Sequence, residues 1–338
     1  MGGIFMRVLV TGANGFLGSH VVLALLRAGY DVRAFLLHGT SAEALNNLSC
    51  ETFRGDLLCP EDIDKALDSC DYLIHTAAIT DIWPARNRTS WKINFDVVKL
   101  LAAAVRKNPV RKMIHVGTAN SFGFGTLSHP GTEEDGYACG KYGLDYMDSK
   151  KAAQDYLLGE VRDYNLPVVI LNPTFMIGEN DSKPGTGEMI LSVMAGKVPG
   201  CAKGGRCFAA VKDVAQACVN ALEKGRVGQC YITGGTNLCY RDFFALIGQV
   251  AKVRPPRRIV PTFLSVPMAA VMEGISRLRR RKPKLTVAMA KISGDGHYYS
   301  SLKAIRELDY PQTKLEEALS EAILWYRDHG YIPPRRQS

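Results

Sequence analysis

A tyrosine and a lysine at helical spacing are the residues of this chain best suited to acid–base chemistry. Tyr146 and Lys150 lie four residues apart at the start of an amphipathic segment, so both would project from one face of a helix. An ammonium group beside a phenol stabilises the phenolate, and a tyrosine that ordinarily titrates near pH ~10 can then exchange a proton closer to neutrality. The pair predicts a proton-transferring tyrosine assisted by a lysine.

The same spacing recurs elsewhere, so the surrounding sequence has to choose among the pairs. The other three pairs are Tyr137/Lys141, Tyr299/Lys303 and Tyr310/Lys314. Glycines interrupt the first pair, Tyr299 lies far along the chain from the predicted strands, and a proline directly follows Tyr310. Only the pair at 146 and 150 opens a sustained amphipathic helix between two strands.

Polar side chains at Thr118, Asn120 and Ser121 follow a predicted strand at 112–116. A hydroxyl there can hydrogen-bond a substrate carbonyl and stabilise the negative charge that develops on its oxygen during hydride transfer. The same hydroxyl could instead satisfy the local backbone at the strand end. Both roles are open at this stage.

Three glycines spaced three apart connect an apolar strand at 7–10 to an apolar-periodic helix. Gly12 permits a tight turn, Gly15 lets the backbone approach a pyrophosphate, and Gly18 lets the helix pack closely on the strand. The first N–H groups of the helix would then face the phosphate charge. Framed by a second strand at 31–37, the motif predicts a dinucleotide site; a tight turn without a ligand is the alternative.

Alternating strand and helix patterns surround these motifs. Further strands are predicted at 51–54, 71–75, 167–171 and 229–233, and helices at 17–26, 41–48, 61–67, 90–107, 145–164 and 214–224. Units of this length predict an α/β fold with a doubly wound parallel sheet of the Rossmann type. Loop-rich segments after residue 176 and helices after residue 240 predict two units. A dinucleotide-binding domain would comprise 1–176 plus 211–239, and a smaller, discontinuous, mostly helical substrate domain 177–210 plus 240–338.

Composition places the chain among ordinary globular proteins. Its 338 residues are 46% hydrophobic and 22% charged, and its nine cysteines are scattered without a C-x-x-C pair. We expect reduced thiols, no bound metal and a cytoplasmic location. An uninterrupted apolar run of about 18 residues, as a membrane span would need, does not occur.

The net charge of +9 is concentrated late in the chain, in the basic run Arg277–Lys284. A solvated helix end is one interpretation. Contact with an anionic membrane surface or partner, helped by the preceding apolar residues 263–275, is a second. Nucleic-acid binding is a third, but no recognisable nucleic-acid module surrounds the run, and we predict no nucleic-acid partner.

Taken together, Thr11–Gly18, the Tyr146/Lys150 pair and Asn172-Pro173-Thr174 resemble the extended short-chain dehydrogenase/reductases of the NAD-dependent epimerase/dehydratase family. Within that family the chain is most similar to the bacterial dihydroflavonol-reductase-like and 3β-hydroxysteroid-dehydrogenase-like branch, which grades into sugar epimerases and dehydratases. The resemblance covers nearly the whole chain. Its motifs are specific for the superfamily and not for a substrate.

The resemblance implies roles for individual residues. Tyr146 would be the catalytic acid/base, Lys150 would lower its pKa and hold the nicotinamide ribose, Thr118 would replace the usual serine, and Asn94 would match a helix asparagine near the active site. Cofactor contacts would come from Gly12, Asn14, Gly15, Phe16, Leu17, Gly18, Leu37, His38, Asp56, Leu57, Thr76, Ala77, Ala78, Tyr146, Lys150, Pro173 and Thr174. A homodimer through the helices at 90–107 and 145–164 is also expected.

The choice between cofactors depends on the end of the second strand. Relatives that prefer NAD carry an acid there and those that prefer NADP carry an arginine, whereas this chain has Leu36–Thr40 with neither. Because an acid is missing, a 2′-phosphate is not repelled, and His38 could assist its binding. NADP(H) is therefore predicted, with NAD(H) as the alternative.

The leading hypothesis is an NAD(P)(H)-dependent oxidoreductase that interconverts a carbonyl and a secondary alcohol. We expect the segments 122–142 and 176–206 to shape the substrate pocket, and their Phe, Met, Leu and Gly content indicates a small, mainly apolar substrate. One alternative is a nucleotide-sugar epimerase or dehydratase that holds NAD tightly. The other is a catalytically silent module that binds the cofactor and senses redox state.

Overall fold

A seven-stranded parallel sheet forms the centre of the protein. The computed structural model describes residues 6–185, 187–279 and 281–332. In chain order the strands are β1 (Arg7–Thr11), β2 (Asp31–Leu37), β3 (Glu51–Gly55), β4 (Tyr72–His75), β5 (Lys112–Val116), β6 (Val168–Pro173), β7 (Phe175–Ile177), β8 (Gly205–Ala210), β9 (Cys230–Thr233), β10 (Thr236–Cys239) and β11 (Gly296–His297). The central sheet has the order β3-β2-β1-β4-β5-β6-β9, which confirms the doubly wound α/β prediction.

Twelve α-helical segments accompany the strands in the described residues. They are α1 (Phe16–Arg27), α2 (Pro60–Leu67), α3 (Arg88–Trp91), α4 (Val97–Lys107), α5 (Asp145–Tyr164), α6 (Gly187–Met194), α7 (Val211–Lys224), α8 (Tyr240–Ala251), α9 (Thr262–Leu278), α10 (Val287–Gly294), α11 (Leu302–Leu308) and α12 (Leu315–Asp328). None of the helices in the described ranges is both long and apolar enough to cross a bilayer.

Strand residues alternate between two apolar layers because successive side chains point to opposite faces. Val8 and Val10 pack with α1, α7 and α11 on one face of the sheet. Leu9 packs with α2, α4 and α5 on the other. Since both faces are covered, inner strands such as β1 and β4 are mostly apolar and buried, as is usual in parallel sheets.

The strands β7, β8, β10 and β11 form a second, four-stranded sheet. β8 pairs with β10, β11 and β7, and a separate core joins this sheet to α6, α8 and α12. The division of the chain into two domains stays a prediction. The predicted domains also include residues 1–5, 186, 280 and 333–338, which lie outside the described residues.

Some predicted boundaries were wrong. The helix expected at 41–48 is a single 3₁₀ turn, Glu43–Leu45, which Asn47 follows with a positive φ of 68°. The long helix begins at Arg88, two residues earlier than predicted, because the Asn87 side chain accepts the Thr89 N–H at 3.0 Å. Its segment Lys92–Asp96 is π-helical and precedes α4 directly. The helix predicted at 214–224 begins at Val211.

Candidate active site

The glycine turn lies at the carboxyl end of β1, the place where parallel sheets bind ligands. Gly12 has a φ of +69°, and a Cβ there would approach the Ala77 backbone to 2.7 Å. A Cβ on Gly18 would overlap the carbonyl of Gly12. Both positions therefore require glycine, and the close approach of β1, α1 and the segment after β4 depends on them.

The start of α1 fits a bound pyrophosphate. Gly15 precedes the helix and has no side chain to cap it, so its first N–H groups are left for a ligand or solvent. Leu17 is buried in the core and Phe16 packs against it, so both would contact a dinucleotide through their backbone. The Asn14 amide donates to Ser41 O at 2.8 Å and to Thr40 Oγ1 at 3.2 Å, which holds the turn against the loop after β2.

The residues expected at the adenosine end lie beside that loop. Leu37 and His38 are exposed, and Asp56 and Leu57 are half-buried at the end of β3. The Asp56 carboxylate accepts the Leu58 N–H at 2.9 Å. These four residues therefore lie together at the carboxyl ends of β2 and β3, beside the glycine turn.

Arginines lie on both β2 and β3, and they point in different directions. Arg33 is turned into the protein, where Nε donates to Glu51 Oε1 at 2.9 Å and Nη1 to Ala66 O. Arg54 is exposed on β3, and its Nη1 donates to Thr40 O at 3.0 Å. No carboxylate of the described chain pairs with Arg54. Sequence reasoning missed this cation because it lies on the neighbouring strand and not at the end of β2.

The other expected cofactor contacts lie at the ends of β4 and β6. Thr76 donates its hydroxyl to Thr11 O at 2.7 Å, and Ala77 and Ala78 are half-buried beside it. Pro173 is buried at the end of β6, and the Thr174 N–H donates to Thr233 O at 3.3 Å. The structure therefore gathers these residues at one edge of the sheet.

Thr118 and Tyr146 meet at the end of β5. The Thr118 hydroxyl accepts the Asn120 N–H at 3.3 Å and lies close enough to the Tyr146 phenol to affect its pKa. The structure thus shows the local role of this hydroxyl, and its role in binding a substrate carbonyl stays a prediction. Burial raises the pKa of Tyr146, while the nearby Thr118 hydroxyl and the charge of Arg206 act in the opposite direction.

Lys150 is buried one helical turn further along α5. It is 3% exposed, and its Nζ donates to Val116 O at 2.7 Å. Burial lowers the pKa of Lys150 to about 8. Its charge adds to burial in lowering the pKa of His75 to about 3, so that imidazole stays neutral. That Lys150 lowers the pKa of Tyr146 stays a prediction.

Asn94 lies in the π-helical segment and holds neighbouring elements together. Its Oδ1 accepts the Ile79 N–H at 2.9 Å, and its Nδ2 donates to Ile79 O at 2.9 Å and to Ser149 Oγ at 3.2 Å. These bonds join the segment after β4 to α5 beside Lys150. Its catalytic role stays a prediction, and the contacts themselves are those of a positioning residue.

Sequence reasoning missed two more residues of the site. Asn172 is buried, and its Nδ2 donates to Thr118 O at 3.0 Å and to Gln154 Oε1 at 2.8 Å, which ties the end of β5 to α5. Its place in Asn172-Pro173, directly after an apolar strand, was the available signal. Arg206 on β8 donates to the Tyr240 hydroxyl at 3.0 Å, and no carboxylate within the described ranges pairs with it. Its position gave no signal, because β8 enters the site only through tertiary packing.

Side chains of two other tyrosine–lysine pairs bind to partners of their own. Tyr137 donates to Asp148 at 2.7 Å, and Lys141 pairs with Asp295 at 2.9 Å. Lys303 donates to Gln229 Oε1 and to Cys230 O, both at 2.9 Å. The pair that lies beside Thr118 at the sheet edge is therefore Tyr146/Lys150.

Comparisons with known proteins agree with this geometry. Residues 8–234 match the NAD dependent epimerase/dehydratase family. A putative dihydroflavonol 4-reductase of Synechocystis sp. is 28% identical and covers 96% of this chain and 95% of its own. Sterol demethylase protein B of Methylococcus capsulatus is 28% identical over 97% of this chain and all of its own. The crystal structure of gox2253 superimposes with a TM-score of 0.85 at 32% identity, over 97% of this chain and 99% of that one.

The match to the family spans about two-thirds of the chain and includes the glycine turn, Thr118, Tyr146 and Lys150. The chain therefore belongs to the NAD-dependent epimerase/dehydratase family and is an oxidoreductase of the extended short-chain dehydrogenase/reductase type.

Proposed function

We propose that this protein interconverts a ketone and the corresponding secondary alcohol of a mainly apolar molecule, with NADP(H) as the cofactor. The proximity of the Thr118 hydroxyl to the Tyr146 phenol carries the proposal, because two groups that can bind one substrate oxygen then lie together at the end of β5. The glycine turn and the buried Lys150 flank this position along the same sheet edge.

The proton-transfer chemistry follows from these groups. A bound nicotinamide would exchange a hydride with the substrate carbon. In the reductive direction Tyr146 donates its phenolic proton to the carbonyl oxygen, while Thr118 donates a hydrogen bond to the developing negative charge. The carbonyl carbon gains the hydride and its oxygen gains the proton; oxidation of the alcohol reverses both transfers.

The surroundings of Tyr146 favour an apolar substrate. The phenol packs against a cluster made of Ile82, Phe124, Leu144, Met147 and Ile292, together with neighbouring aromatic and small residues. Binding sites for small molecules are mostly apolar with a few oriented polar groups, here Tyr146 and Thr118. Relatives named for a dihydroflavonol and a sterol support the same substrate class.

Replacing the phenol tests the catalytic proposal. In Tyr146→Phe we expect nicotinamide binding, followed by fluorescence titration, to persist, while turnover on a panel of ketones and secondary alcohols falls about 10²–10⁴-fold. Tyr310→Phe is the matched control, because Tyr310 belongs to a decoy pair and its hydroxyl is buried without a partner among the described residues. Equal turnover of Tyr146→Phe and the wild type would refute the mechanism.

Arg54 supports the choice of NADP(H). Its guanidinium lies at the loop after β2, which borders the adenosine end of the predicted site, and can pair with a 2′-phosphate. We expect Arg54→Gln to raise KM for NADPH about ten-fold and to leave KM for NADH unchanged. Arg162→Gln, at the far end of α5, controls for the lost surface charge. An equal change for both cofactors would contradict this role.

Arg206 favours the epimerase or dehydratase alternative. A guanidinium close enough to affect the pKa of Tyr146, with no carboxylate partner in the described part of the chain, could bind a sugar-nucleotide diphosphate. An enzyme of that kind would release stoichiometric nicotinamide from purified protein on denaturation, whereas we expect little. A silent module would bind cofactor without any turnover. The homodimer and the cytoplasmic location expected from the sequence stay predictions.

A further inference from the structure

Helix α9 exposes an apolar face along its whole length. The exposed fractions are 73% for Phe263, 55% for Leu264, 47% for Met268, 64% for Val271, 47% for Ile275 and 87% for Leu278. Of the helix residues, only Ala269 is buried. Large apolar side chains in such number on one surface mark an interaction site.

A helix on the surface of a globular protein usually turns its apolar side chains towards the core, whereas α9 carries an apolar stripe on its exposed side. Residues 264, 268, 271, 275 and 278 recur every three or four positions and form one apolar stripe. The acidic residue of the helix, Glu273, is turned towards the protein, where it accepts the Val287 N–H at 2.6 Å. The apolar side of α9 therefore faces outward.

Cations border the apolar stripe at both ends. Residues 254–284 contain nine of the 42 Lys and Arg residues of the chain but one of its 33 Asp and Glu residues. The rest of the protein, with 33 basic and 32 acidic residues, is almost neutral. Arg254, Arg257 and Arg258 precede the helix and Arg279 and Arg281 follow it, all of them exposed. The positive charge of this protein is therefore collected around its exposed apolar face.

We propose that residues 254–284 bind the surface of an anionic lipid bilayer. The apolar stripe would enter the boundary between headgroups and acyl chains, and the flanking cations would contact lipid phosphates. A second copy of the chain fits less well, because pairing two α9 stripes would bring cationic ends together. Nucleic acid would leave the apolar stripe exposed.

The apolar stripe of α9 is connected through α10 to the apolar cluster around Tyr146. α9 packs on α10, whose Ala288 and Ile292 belong to the apolar cluster around the phenol. Arg277 lies 5.4 Å from the ring centre of Trp83, in the segment after β4 that carries Ile82 of the same cluster. A docked protein would thus hold this cluster one helix away from the helix that contacts the membrane. The further consequence, that an apolar alcohol or ketone enters from the bilayer, rests on the proposed function.

Co-sedimentation of the full chain with vesicles tests the docking itself. We expect binding to vesicles of equal amounts of phosphatidylglycerol and phosphatidylcholine, weak binding to phosphatidylcholine alone, and loss of binding in high salt. The readout does not involve catalysis, so it is independent of the proposed function. No binding to the anionic vesicles, or equal binding to both vesicle types, would overturn the proposal.

Matched variants locate the contact. Val271→Ser with Ile275→Ser should weaken partitioning about ten-fold or more, because each apolar carbon kept from the bilayer costs several-fold in affinity. Leu302→Ser with Leu324→Ser, at helix positions 62% and 58% exposed, is the control and should bind as the wild type does. Circular dichroism verifies folding.

Variants without the flanking cations, and a measurement of the oligomeric state, provide two further tests. Replacing Arg279 and Arg281 by Gln should weaken binding about five-fold for each cation removed. Sedimentation velocity of the wild type and the Val271/Ile275 variant, without lipid, tests self-association. If the apolar variant binds vesicles normally, or changes from an oligomer to a monomer instead, the stripe is not a bilayer contact.

Discussion

The buried Lys150 provides a direct test of the electrostatics of the site. Burial holds its pKa at about 8 against an ordinary value of 10.5, so between these values the unfolded chain binds more protons than the folded one. Its contribution to stability is therefore fully present above pH ~10.5, falls as the pH decreases and reaches its minimum below pH ~8. At pH 7 the cost of holding this ammonium in the protein is about 3 kcal/mol.

Replacing this lysine by methionine should remove that cost. Lys150→Met also leaves Val116 O without its donor, at a penalty of about 1 kcal/mol, so the cofactor-free variant should be about 2 kcal/mol more stable than wild type at pH 7. At pH 10 most of the wild-type cost has gone. The stability difference should then fall by about 2–3 kcal/mol, to near zero or below.

Urea unfolding of the cofactor-free protein at the two pH values measures this difference. Lys151→Met is the matched control: it removes the next lysine of α5, which is ion-paired with Asp155 on the surface, and its pH profile gives the background to subtract. A stability difference for Lys150→Met that is the same at both pH values, or a variant less stable than wild type at pH 7, would refute the reasoning. The same variant should also have lost turnover.

Three further perturbations follow from the site geometry. Gly18→Ala would place a Cβ against the Gly12 carbonyl, so it should lower the unfolding free energy by about 1–3 kcal/mol and weaken nicotinamide binding in a fluorescence titration. The control Gly159→Ala, in α5, should be neutral or stabilising. Equal effects of the two substitutions would contradict the close packing at Gly18. Asn172→Ala should cost about 2 kcal/mol in urea unfolding and lower kcat more than it raises KM; an unaltered kcat would remove it as a positioning residue. Thr118→Val should reduce kcat about a hundred-fold and Thr118→Ser far less, and similar rates for the two would show that the hydroxyl is not required.

Local signals in the chain were sufficient to predict the strands of the sheet and the glycine turn after β1. The strands and glycines were predictable because an apolar run, a tight turn and a helix are features of consecutive residues. The helix at 41–48 was predicted wrongly because a short polar segment has little apolar surface to hold a helix against the core. Flanking glycine and proline, which are also local, argued against two of the other three tyrosine–lysine pairs, and the place of Tyr299 in the chain argued against the third.

Residue types and spacing in the chain determined the sheet, the glycine turn and the identity of the pair on α5. The tertiary structure alone decided that Arg206 lies at the site, that Arg54 rather than Arg33 faces the loop after β2, and that the apolar side of α9 points outward. The physical reason is that charge, burial and hydrogen bonding at a site depend on groups far apart in the chain, whose mutual distances are fixed when helices pack on the sheet.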